Sequence, residues 1–274
     1  MRHPLRTVLL FLLLATFVAA CGGTTPTTSS PTAAPAPVTL NVFAAASLSN
    51  SFKEIATQYQ AKHPNVKITY NFNGSQLLVQ QMSNGAPADV FASADVANMQ
   101  KASQGNLVND SQIFAKNKLT VIVPASNPGN ITTLKDLARK GVKLDIAAPA
   151  VPVGKYALQV LDKMGQSSDY GTTYEGAVKA NVVSQEENVT AVVQKVQLGE
   201  VDAGIVYSTD AVAAADKVKF IDIPDNFNVI AEYPIAVTKN AAHATEAQSF
   251  VQYVLSADGQ AILTKYRFIG VTPS

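Results

Sequence analysis

NVFAAASLSNS, residues 41–51, joins an apolar run ending in three alanines to serines that open a segment of helical spacing. It places Ser47 where a strand hands over to a helix. The first backbone N–H groups of a helix have no partner inside it, and a small hydroxyl residue adds a donor aimed the same way, so the junction suits a negatively charged ligand. Two other readings fit the same residues. Ser47 can be an ordinary N-cap, and Ser51 with Glu54 has capping-box spacing that would start the helix a turn later and leave Ser47 in a loop.

On either side of this stretch, short apolar runs alternate with longer segments of helical spacing. Strands are expected at 40–43, 67–71, 89–92, 119–124, 144–147, 203–207, 219–223 and 234–237. Helices are expected at 49–62, 75–84, 96–103, 134–140, 155–164, 189–198 and 245–255. The alternation argues for an α/β fold with mostly parallel sheets flanked by helices, in which ligands bind beyond the carboxyl ends of strands.

The N-terminus has a different character. Arg2 and Arg6 precede an apolar core over residues 8–18, too short for a spanning helix of about 20 residues, so residues 1–20 read as an export signal. Val18-Ala19-Ala20-Cys21 resembles a bacterial lipobox, which would lipidate Cys21 and anchor the protein to a membrane; plain secretion with a spare thiol is the other reading. From Cys21 to Pro37 the chain is Gly, Thr, Ser, Pro and Ala almost throughout, a flexible tether without a core. Loss of the leader moves the formal charge from +1 to about −1, and no basic run interleaved with aromatics points to nucleic acid.

Several strand-to-helix joins carry donors instead of catalytic groups. Asn73-Gly74-Ser75 offers a tight turn and a serine at a helix start. The 149–154 stretch, PAVPVG, leads into another helix, with Gly154 allowing close backbone approach. Asn188 fits the N-cap of the helix at Val189, and Tyr207 brings a hydroxyl to the end of GIVY. Each also fits a plain role, as cap, loop or core aromatic. His63 and His243 sit in polar, helix-flanking contexts and read as solvated. There is no nucleophile elbow, P-loop or dinucleotide motif, and no His/Cys/Asp/Glu cluster at metal-ligand spacing. A serine hydrolase would need a base near Ser47 or Ser75, and the sequence nominates none.

VFAAASL (42–48), NGAPADVFASAD (84–95), PAVPVGKYA (149–157), GIVYSTDAV (204–212), EYPIAV (232–237) and KYRF (265–268) resemble, in order and spacing, the molybdate-binding proteins of bacterial ABC importers. The resemblance implies a two-lobed periplasmic-binding-protein fold of type II with the ligand in the interlobe cleft. One lobe would hold residues 38–118 plus 233–274, the other 119–232. It implies a monomer that binds molybdate or tungstate, needs no cofactor, performs no catalysis and delivers its ligand to an ABC permease with its ATPase. The oxyanion would be held by the hydroxyls of Ser47 and Ser75, the amides of Val153 and Val189, and Tyr207, with molybdenum bound as molybdate and no direct metal ligand. A receptor for sulfate or another tetrahedral oxyanion on the same fold is the alternative.

Molybdate near neutral pH is a deprotonated dianion whose oxygens only accept hydrogen bonds, so helix N-termini, hydroxyls and amides suffice without arginine. Hydrogen phosphate carries a proton that needs an acceptor, and none of the five positions offers a carboxylate. Sulfate can be excluded only by cavity size. The sequence departs from the family pattern in three places: Val153 stands where many relatives have a small residue, Gly74 and Gln76 replace part of a serine-rich turn, and Ser208 follows Tyr207 where some have glycine. Glu186 and Glu187 lie beside the Val189 amide and should face outward, because a carboxylate within a Debye length of about 8 Å opposes a dianion.

Overall fold

The computed structural model describes residues 36–271. The export signal, Cys21 and nearly all of the tether lie outside the described residues. Eleven strands and nine α-helices are described. Their order is β1 (Val38–Ala45), α1 (Ser49–Lys62), β2 (Val66–Asn73), α2 (Ser75–Ser83), β3 (Val90–Ala92), α3 (Val96–Gln104), β4 (Gln112–Asn117) and β5 (Leu119–Pro124). Then come β6 (Leu144–Ala147), α4 (Pro152–Gly165), α5 (Tyr174–Ala180), β7 (Val182–Glu186), α6 (Val189–Leu198), β8 (Ala203–Tyr207) and α7 (Ser208–Ala213). The chain ends with β9 (Val218–Asp222), β10 (Ala231–Val237), α8 (Ala244–Leu255), α9 (Ala257–Lys265) and β11 (Ile269–Gly270).

The strands form two mixed sheets. The first runs β11-β4-β10-β3-β1-β2 and the second β7-β6-β8-β5-β9. Each has a parallel part, β2-β1-β3 in one and β7-β6-β8 in the other, extended by antiparallel neighbours. The chain passes between sheets twice, from β4 into β5 through Lys118 and from β9 back into β10.

Why β1 is apolar on both faces follows from what covers it. Leu40, Val42 and Ala44 join a cluster with Phe52 and Ile55 of α1 and Phe114 of β4, while Phe43 points the other way, to Leu78, Met82, Phe91 and Met99. Side chains alternate across a strand, and a parallel strand with helices on both sides reads as a near-continuous apolar run. The ladder is pinned by Asp89, whose buried carboxylate accepts from the N–H groups of Asn41 at 2.8 Å and Ala242 at 2.9 Å. The acidic residue of the GAPAD stretch therefore ties β1 to the loop before α8.

Some expectations shift. The segment at 134–140 is a 3-10 turn over Leu134–Ala138, closed by a reciprocal cap between Thr133 and Asp136 and ended by an extended Arg139. Helix α4 begins at Pro152, three residues before the expected start, because proline is favoured at the first helical position, where its missing N–H has no cost. His63 is half-buried and stacked on Tyr59 with ring centroids 4.2 Å apart, not solvated. The 3-10 turn Ala46–Leu48 runs directly into α1, and neither Ser47 nor Ser51 caps it through its side chain; Ser51 Oγ donates to Leu48 O.

Candidate functional site

A small, tight pocket lies between the sheets, where the starts of the 3-10 turn, α2, α4 and α6 converge. It is reached from the carboxyl ends of β1, β2, β6, β7 and β8, the edge where parallel strands give way to helices. Among the described residues that line it, none is charged.

From the first sheet, Ala45 and Ala46 present the start of the 3-10 turn, and Asn73, Gly74 and Ser75 present the start of α2. Ser75 is fully buried, and its Oγ accepts from the Ala94 N–H at 3.0 Å. With that acceptor role taken, its own hydrogen is left to donate. From the second sheet, Val153 follows Pro152 in the first turn of α4, so its N–H is the first that this helix offers. Its side chain is buried in the core. Asn188 caps α6 by accepting from Ala191 N–H at 3.1 Å, which leaves the Val189 N–H facing the pocket region without a helical partner. Gly154 packs α4 directly on β6: a Cβ there would fall 2.2 Å from Ala147 O.

Tyr207 ends β8 and lines the pocket with 1% of its surface exposed. Its hydroxyl is buried and has no hydrogen-bond partner among the described residues. Burial, with Tyr233 beside it, raises its pKa well above the ordinary tyrosine value, so it is a neutral donor. Four of the five residues expected at an oxyanion site, Ser75, Val153, Val189 and Tyr207, thus line one pocket. Ser47 lies one residue past the lining Ala46, and its hydroxyl is 3.0 Å from the Tyr233 hydroxyl.

The two sides touch around the pocket. Gln76 Nε2 donates to Glu187 O at 2.9 Å, Asn188 Nδ2 lies 3.5 Å from Asn73 Oδ1, and Lys155 pairs with the buried Asp95 at 3.8 Å. Gly74 is not the pivot of a left-handed turn; its φ is −60°, and Asn73 Oδ1 accepts its N–H. Glycine is needed there because a Cβ would stand 2.3 Å from Glu187 O on the other side.

The two glutamates beside Val189 part company. Glu187 is exposed, as expected, but Glu186 turns inward and pairs with Lys195 at 2.5 Å while accepting from Ser184 Oγ. Burial pushes its carboxyl up, and the bonds from Lys195 and Ser184 outweigh that and hold it below the usual range. Its charge is neutralised by an ion pair and not by solvent.

Sequence reasoning missed Ala94, whose N–H engages Ser75, and Tyr233, which stands behind Ser47. Tyr233 lies within the quoted EYPIAV, but nothing local ties a strand tyrosine to a serine 186 residues away.

The profile of the bacterial extracellular solute-binding protein family matches residues 40–269. The molybdate-binding protein ModA of Mycobacterium tuberculosis is 36% identical over 265 residues, 96% of this chain and 97% of that protein. Among solved structures, the periplasmic molybdate-binding protein of Azotobacter vinelandii has a TM-score of 0.73 at 22% identity, over 85% of this chain and all of the other. The sulfate-binding protein SubI of M. tuberculosis has a TM-score of 0.76 at 18% identity, over 86% of this chain and 88% of its own. At such identities these two structures bear on the fold alone, which serves more than one oxyanion.

Proposed function

The chain belongs to the bacterial extracellular solute-binding protein family, and we propose that it captures molybdate, and tungstate, outside the cytoplasm for delivery to an ABC permease with its ATPase. The observation that carries this reading is the buried hydroxyl of Tyr207, unpartnered among the described residues, in a pocket whose described lining is uncharged and ringed by helix N-termini. Such a pocket offers donors and partial positive charge but, among the described residues that line it, no carboxylate to take up a ligand proton, which suits a fully deprotonated tetrahedral dianion. Ser47, Ser75, Tyr207 and the amides of Val153 and Val189 are the proposed donors. The ligand is bound and released unchanged.

The two sheets are taken as the cores of two lobes, residues 38–118 plus 233–274 and residues 119–232, which close on the ligand as a monomer. Contacts between Gln76 and Glu187 and between Lys155 and Asp95 support a closed arrangement. Cys21 is the proposed lipid anchor; Cys21→Ser should release the protein from membranes, and continued association in fractionation would argue for another attachment.

Titration calorimetry with molybdate, tungstate, sulfate and phosphate tests the ligand. Tight binding of the first two and none of phosphate is expected. Sulfate binding as tight as molybdate would overturn the selectivity.

A further inference from the structure

We propose that Tyr233 orients the Ser47 hydroxyl so that its hydrogen points to the bound anion, acting from the strand on which the chain returns between the sheets. The inference rests on the anion-site reading above. Tyr233 is fully buried on β10, is not itself part of the pocket lining, and places its hydroxyl 3.0 Å from Ser47 Oγ.

The direction of the hydrogens follows from Asn117, the last residue of β4. Its Oδ1 accepts the Lys118 N–H at 3.0 Å, which fixes the amide and turns Nδ2 the other way. Nδ2 then donates to Thr209 Oγ1 at 2.8 Å and, over a longer 3.5 Å, to the Tyr233 oxygen. An oxygen that accepts from Asn117 uses its single hydrogen elsewhere; of the two hydroxyls beside it, Ser47 Oγ lies in hydrogen-bond geometry at 3.0 Å, whereas that of Tyr207 does not. Ser47 therefore accepts from Tyr233 and keeps its own hydrogen, the one role useful to a ligand that only accepts.

The tyrosine ring is held for this task. It packs edge-on against Tyr207, Phe114 and Phe268, with ring centroids 5.7, 6.3 and 5.5 Å away. The β10 ladder to β4 slips between Tyr233 and Pro234, an irregularity of the kind that re-aims a side chain and tolerates a proline without N–H. Burial keeps the phenol protonated, so its donor role does not titrate. Asn117 and Tyr233 sit on the two strands by which the chain leaves and re-enters the first sheet, and Thr209 comes from α7 beside the second. The orientation of Ser47 is therefore anchored at the two crossings themselves.

A double-mutant cycle by molybdate calorimetry, with thermal unfolding of each unliganded variant, tests the assignment. Tyr233→Phe should weaken binding about tenfold in the wild-type background, the scale of one neutral hydrogen bond. In the Ser47→Ala background the same change should alter affinity by less than about twofold. Asn117→Ala, which frees the Tyr233 oxygen to accept from Ser47 instead, should weaken binding severalfold only while Ser47 is present, and it serves if Tyr233→Phe does not fold. Equal losses in both backgrounds, or unchanged affinity in the single variants, would overturn the proposal. Absence of molybdate binding by the wild type, or a Ser47→Ala protein that binds unchanged, would instead bring down the anion site itself.

Discussion

Tyr207 carries a buried hydroxyl with no hydrogen-bond partner among the described residues, and such a group costs a folded protein about 1–3 kcal/mol. The same group is the pocket's best-placed donor. Tyr207→Phe is thus expected to move two measurements in opposite directions: the unliganded protein gains about 1 kcal/mol in denaturant unfolding, while molybdate affinity falls about 10- to 100-fold, the value of one hydrogen bond to a charged group. A variant less stable than wild type would show the hydroxyl to be satisfied after all. Ser75→Ala should behave differently, because Ser75 also accepts from Ala94 N–H; it should lose both stability and affinity. These two hydroxyls were legible in the sequence because each sits where a strand meets a helix. Tyr233 was not, since its meeting with Ser47 depends on how β10 lies against the start of α1, which no local spacing encodes.

Helix starts decide more of this site than side chains do. Pro152 marks the start of α4, yet the spacing of apolar residues put that start at Lys155, because proline and glycine together read as loop. Asn73-Gly74 likewise reads as a turn, whereas Gly74 is extended and lacks a side chain for the sake of the opposite wall. This distinction makes a prediction. The Gly74 backbone admits alanine, but the added Cβ would meet Glu187 O, so Gly74→Ala should fold normally and close poorly. Small-angle scattering in saturating molybdate should show a larger radius than for wild type, with affinity reduced at least tenfold; an unchanged radius and affinity would show that the halves adjust. Asp89 tests the first sheet alone. It accepts backbone N–H groups from two segments while buried, and Asp89→Ala should cost about 3 kcal/mol in unfolding free energy, with little change in affinity for the fraction that folds.

Across the whole molecule, the strand–helix alternation announced an α/β fold, and the long parallel strands were found. β4, β7 and β11 were not, because QIFAKN and VVSQE carry polar residues along sheet margins and Ile269–Gly270 is too short to show a pattern. Two acids inside this fold shape its response to pH. Asp145 is fully buried, with neither carboxylate oxygen partnered among the described residues; burial first and Glu186 second push it up to about 7, against the pull of Lys195. Burial does the same to Asp210, also to about 7. In the unfolded chain both ionise near the ordinary value of about 4. Between these limits the unfolded state has released protons that the folded state keeps, so stability falls as pH rises through the window. The unfolding midpoint of the unliganded protein should therefore drop from pH 5 to pH 8, and Asp145→Asn should remove part of the drop. A midpoint that climbs over this range would contradict the assignment.

That none of the described residues lining the pocket is charged has an electrical consequence. A guanidinium would offset part of a bound dianion's charge within the pocket; amides and hydroxyls stabilise it without a counter-charge. The chain, of formal charge +1, becomes more acidic on loading by about two charges, as far as the donors keep their protons. Loaded and unloaded forms should separate on an anion exchanger and in a native gel, and any surface that docks against the protein meets a different field in each.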